Sequence, residues 1–172
     1  FLLASFLIWC IKVPPKSGEA PEISSSGYWE NFTAGLAYLG QHHRVISLVS
    51  LKSGWNAAGG VLVLLSIFGD QIFHAGDGGI GLLYAGRGFG ALLGPFLIKP
   101  LAGNDPNRMR GVVVLGFVFQ AVGYTIFAGS VGVGLWLAFF SLILAHLGGG
   151  INWTASALLL QEVVPDHYRG RV

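Results

Sequence analysis

Four long apolar runs, separated by short loops that alternate in charge, constrain this chain more than any other feature. They lie at about residues 45–68, 79–98, 111–128 and 133–163. A helix needs roughly 20 apolar residues to cross a bilayer, and each run is of that order. The last exceeds one untilted span, and its Gly148, Gly149 and Gly150 are expected to mark a kink. Strands are the competing reading, because Val and Phe are common. Runs of this length without turn signals favour helices, and a membrane barrel would alternate in segments of about ten residues.

The loops support this count. "GDQIFHAGDGG", between the first two runs, has no Lys or Arg, and neither has "GSVGVG", between the last two. The opposite side carries Lys12, Lys16, Arg44, Lys99, Arg108, Arg110, Arg169 and Arg171. Basic residues collect on the cytoplasmic face of membrane proteins, so that side is expected to be cytoplasmic. Composition agrees. Only 10% of the residues are charged, against about 25% in a soluble domain, too few to cover a globule of this size. The net charge of +2 forms no basic stripe, so nucleic acid is not an expected partner.

The start, "FLLASFLIWCIKVPPK", has its basic residues after a short apolar run, the reverse of a signal peptide. Residues 1–13 read as the tail of a transmembrane helix, and the chain as an internal piece of a longer protein. Residues 14–44 read as a cytoplasmic linker carrying an amphipathic helix. Its Tyr28, Phe32, Leu36 and Leu39 recur at helical spacing, with Trp29 at headgroup level. Cys10 has no partner for a disulfide or a cysteine-based zinc site. His42, His43 and His74 lack ligand spacing, so no metal or other cofactor is expected.

Two basic residues remain, Lys52 and Arg87, both inside apolar runs. A cation at mid-membrane costs roughly 2.5–3.5 kcal/mol on insertion scales. Arg87 lies about 16 Å from the cytoplasmic end of its run by the helical rise, deep for snorkelling. It is expected to face the bundle interior or a wet cavity, drawing an anionic substrate or a carboxylate of the same chain. Lys52 lies roughly 10 Å deep, where snorkelling and a role in the substrate path both stand. Asn56 is one turn further on the same face. On the last run His146, the glycines and Trp153 share a stripe with Asn152 beside it, so Asn152 and Trp153 join the candidate path. Interhelical packing and hydrogen bonding is the plainer reading there, and Gln120 reads as structural. Gly86, Gly90 and Gly94 form overlapping G-x-x-x-G steps, expected to let a neighbouring helix pack close. The overlapping G-x-G-x-x-A lies inside an apolar span without a βαβ unit, so it is not a dinucleotide site. No nucleophile–base pair or metal constellation suggests an enzyme.

Several stretches together resemble transporters of the major facilitator superfamily. "QEVVPDHYRGRV" is similar to the cytoplasmic loop after their tenth helix, with its Pro-x-x-x-x-Arg-Gly-Arg pattern. "GLAYLGQHHRVISLVSLKSGWNAAGGVLVLL" and "GLLYAGRGFGALLGPFL" resemble the seventh and eighth helices of the enterobactin-exporter-like group. The compact acidic-basic motif of the loop after the eighth helix is not kept in "IKPLAGNDPNRMRG". The resemblance implies an all-α membrane protein, part of the C-terminal six-helix bundle, in the bacterial inner membrane. It implies a missing N-terminal six-helix bundle as partner and a small organic or siderophore-like substrate exported by alternating access, bound near the midplane. A sensor or scaffold with the same fold is the alternative. Asp166, Arg169, Gly170 and Arg171 are the gating-loop candidates, with Glu162 nearby. A topological role for these charges stands equally.

Overall fold

The helices follow from long runs of residues that must satisfy their own backbone in lipid, which only helices and closed barrels do. The computed structural model describes residues 2–11, 27–103 and 105–165. Among these residues there is no strand. Eight α-helices form: α1 Leu2–Trp9, α2 Tyr28–Gln41, α3 His43–Ala57, α4 Val61–Ile67, α5 Gly76–Leu93, α6 Ile98–Ala102, α7 Pro106–Gly129 and α8 Leu135–Val163. Among the described residues, three helical stretches are long and apolar enough to cross a membrane: Gly76–Ala102, Pro106–Gly132 and Leu135–Val163. The protein is therefore an all-α membrane protein.

Each boundary has a local cause. Gly103 ends α6 at φ 59°, a left-handed conformation suited to glycine, and its N–H donates to the Lys99 carbonyl at 2.8 Å. Asp105 then caps α7, accepting from the Asn107 N–H at 2.9 Å, with Pro106 at the first helical position. At the other end of the bundle Gly134, at φ 135°, turns the chain from α7 into α8.

Two expectations change. The run 45–68 is not one helix. A tight 3-10 turn at Ala58–Gly60 divides it, and a wide π turn at Phe68–Ile72 follows α4. Its first half carries Ser47, Ser50, Lys52, Ser53 and Asn56, and in this arm only Val61–Ile72 is a sustained apolar helix. The Gly148–Gly150 run is not a break either, since α8 passes through it as one helix. These glycines instead admit neighbouring backbones. A Cβ on Gly148 would strike the Gly116 carbonyl of α7, and one on Gly150 would meet the Ala91 carbonyl of α5.

Consequently α8 is the central helix, packed on α7 and α5. In its apolar window 56% of residues are buried, against 28% and 22% for the other two spans. Large side chains such as Phe89, Leu92, Phe96, Val118, Trp136 and Phe140 stay exposed on the outside. That belt is far too apolar for water and suits lipid. The amphipathic helix expected in residues 14–44 is α2, and protein leaves its Tyr28, Trp29, Phe32 and Leu36 exposed.

Candidate functional site

Two apolar clusters hold the bundle, one toward each end. Leu65, Leu83, Phe127, Ala138 and Leu142 form the first. Ile98, Ala102, Val112, Val113, Ile151 and Ala155, with Leu159, form the second. The polar side chains of the spans fall between them, on two levels.

The first level joins α5, α7 and α8. By the helical rise, Arg87 lies about 16 Å along α5 from Gly76, and His146 about 16 Å along α8 from Leu135. Tyr124 lies about 13 Å from the same end of its span. The Tyr124 hydroxyl and His146 Nε2 share a hydrogen bond of 3.1 Å, and their rings meet edge to face with centroids 5.9 Å apart. His146 is buried. The charge of Arg87 acts on both groups. Arg87 Nε is buried and has no hydrogen-bond partner. The sole ion pair among the described residues is Arg108 with Asp105, at 3.7 Å, exposed at the start of α7.

About 9 Å further along α8 by its rise comes the second level. Buried Asn152 turns its amide toward α7. In the orientation that satisfies its surroundings, Nδ2 donates to the Val113 carbonyl at 2.8 Å. Its Oδ1 then accepts from the Phe117 N–H at 3.3 Å and from Gln120 Nε2 at 2.7 Å. Val113 and Phe117 are four apart, the spacing of the helical ladder, so the amide straddles one rung of α7.

Lys52 stands over the Trp153 ring, with Nζ 4.9 Å from the centroid. Lys52, Asn152 and Trp153 border one small pocket with Phe117 and Ser156, which holds little more than a water molecule. Arg87 does not line this pocket, so the structure places the expected path residues in two groups rather than one. Asn56 belongs to α3, but its side chain lies outside the described residues, as do Asp166, Arg169, Gly170 and Arg171 entirely. Glu162 is described. With Arg44, Ser47 and Arg110 it borders an open cavity of about 700 Å³ where α3 and α7 begin and α8 ends. Charged residues placed on one side by the loop pattern therefore do share one end of the bundle.

Gly86, Gly90 and Gly94 all face α8. A Cβ on Gly86 would sit 2.9 Å from the Phe139 carbonyl, and one on Gly90 or Gly94 would strike the carbonyl of Ile143 or Leu147. Tyr124 is the residue that sequence reasoning missed. A tyrosine within an apolar run reads as part of the aromatic belt at a membrane surface. Its depth in the run, level with Arg87 from the same end, was the available signal. No known protein family, curated protein or solved structure matches the chain.

Proposed function

We propose that the chain forms part of the C-terminal bundle of a secondary transporter of the major facilitator type, in a bacterial inner membrane. In this reading it exports a small organic or siderophore-like molecule by alternating access. The observation that carries the proposal is Arg87. An intramembrane charge is costly and persists where it serves a pathway. Here one stands on the inward-packed helix α5, with a buried nitrogen left unpaired. It lies between two apolar clusters, near mid-depth, where transporters of this architecture hold substrate. The resemblance of the loop and helix segments to that superfamily supports the same reading. The open cavity at Arg44, Arg110 and Glu162 suits a cytoplasmic vestibule, with Asp166, Arg169, Gly170 and Arg171 closing it as a gating loop. Lys52, Asn56, Asn152 and Trp153 then line the route.

The test is efflux from vesicles carrying the full-length protein, with a panel of small organic anions that includes catecholate siderophores. Efflux is expected with the wild type and lost with Arg87→Leu at normal insertion. Undiminished efflux by that variant would remove Arg87 from the route. No efflux of any solute by the intact protein would favour a sensor or scaffold instead.

A further inference from the structure

The geometry points to a single ligand site made by Arg87, Tyr124 and His146 together, for the carboxylate or similar monoanionic oxyanion group of a small solute. It deepens the transport reading and rests on it only for how a solute reaches mid-membrane. The first argument is donor inventory. A guanidinium presents Nε–H and a neighbouring Nη–H along one edge, a fork that fits the two oxygens of a carboxylate. Arg87 has one prong of that fork, Nε, buried and unused. A buried donor left unpaired is costly, and among the described residues no carboxylate relieves it. An incoming anion would supply both the missing acceptor and the missing charge. One cation beside two groups of ordinarily neutral character suits one negative charge rather than two.

The second argument is the hydrogen bond between Tyr124 and His146. It can run either way. If the Tyr124 O–H donates to His146 Nε2, the hydroxyl has no proton left for a ligand. If His146 carries its proton on Nε2 and donates to the Tyr124 oxygen, the O–H is released to donate elsewhere. An anion held by Arg87 favours the second arrangement, because it gains a further donor. Binding therefore reverses the Tyr124–His146 bond and moves the imidazole proton between its two nitrogens with no change in net charge. Tyr124 touches the ligand. His146 is a positioning residue that acts through Tyr124 by offering a donor at Nε2.

Benzoate, with benzamide as its neutral analogue, probes the site on the full-length protein in lipid nanodiscs, read by calorimetry without any transport step. Benzoate is expected to bind at least about tenfold tighter than benzamide, the value of a charge-assisted bond in a buried site. Arg87→Leu should abolish that preference. Arg87→Lys, which keeps the charge but not the fork, should reduce it by about tenfold. Tyr124→Phe should weaken benzoate roughly fivefold. His146→Leu should do the same, while His146→Gln, whose amide can donate in place of Nε2–H, should restore affinity to within about twofold. Equal binding of benzoate and benzamide overturns the site, as does undetectable benzoate binding by the wild type. Equal loss in His146→Gln and His146→Leu overturns the donor role of His146. Benzoate binding in a protein that moves no solute would keep the site and discard transport. Efflux of neutral solutes without benzoate binding would do the reverse.

Discussion

The two polar levels of this bundle sit between the same pair of helices, α7 and α8, and are built to opposite rules. At the Asn152 level every amide group is spoken for: one carbonyl, one N–H and the Gln120 amide take up its bonds. At the Arg87 level, Tyr124 and His146 bond to each other and the guanidinium Nε bonds to nothing. Polar groups that close on themselves hold helices together, since lipid offers no competing partner. A polar group left open in the same setting stabilises nothing by itself. The difference separates a clamp from a site, although both read in the sequence as polar residues stranded in apolar runs.

The largest expected effect sharpens that contrast. Replacing Arg87 by Leu should make insertion of the α5 segment more favourable by about 3 kcal/mol, measured by the fraction of segments integrated in a translocation assay. The folded protein should lose no thermal stability, because no bond among the described residues is broken. A clear fall in unfolding temperature would show that Arg87 is a clamp too. Next comes the backbone contact between the levels. Gly148→Val would force a branched side chain against the Gly116 carbonyl and the Phe119 Cβ. The overpacking should cost about 1–3 kcal/mol and loosen both levels, read as a lower unfolding temperature in detergent. An unchanged temperature would mean that α7 and α8 separate at little cost, and the closed level would lose its meaning.

How much of this was legible follows from what each signal encodes. Apolar length gave the spans 79–98, 111–128 and 133–163, and the structure extends each or trims it by a few residues, because capping by Gly103, Asp105 and Gly134 is decided by local turns. Length misled at 45–68, where Gly59 and Gly60 and a polar first half divide the run. Depth singled out Arg87, since the cost of a mid-membrane charge can be counted along one helix. Partnership is a property of two helices. Asn152 was visible as polar, but its seat on Val113 and Phe117 was not. Tyr124 was passed over because only packing sets it beside His146. Likewise Gly148 showed its permissiveness and concealed the carbonyl that needs it.

A smaller effect tests the closed level directly. Asn152→Leu removes three bonds at once and leaves the Gln120 amide facing hydrocarbon. Interhelical hydrogen bonds in membranes average about 0.6 and reach about 1.7 kcal/mol, so a stability loss near the upper value is expected. Gln120→Leu in the same background should restore part of it, since removing both partners spares the unpaired group. Full additivity of the two losses would show that Asn152 and Gln120 do not act as a pair.

Lys52 should give the smallest effect, and its position between the two rules makes the measurement useful. It is a cation like Arg87, yet it is half-buried and rests on the face of Trp153. Its stem can reach toward the bundle end where α3 begins, so its charge need not be desolvated. A cation–π contact of this exposure is worth about 0.5–1 kcal/mol. Lys52→Met should cost no more than that in thermal unfolding, Lys52→Arg should cost less, and the emission of Trp153 in a single-tryptophan background should shift with the first and not the second. A gain in stability from Lys52→Met would place Lys52 with Arg87, as a charge kept for something other than holding the bundle together. Two such cations at separate depths would then extend the open level along the face of α8, from His146 down to Trp153.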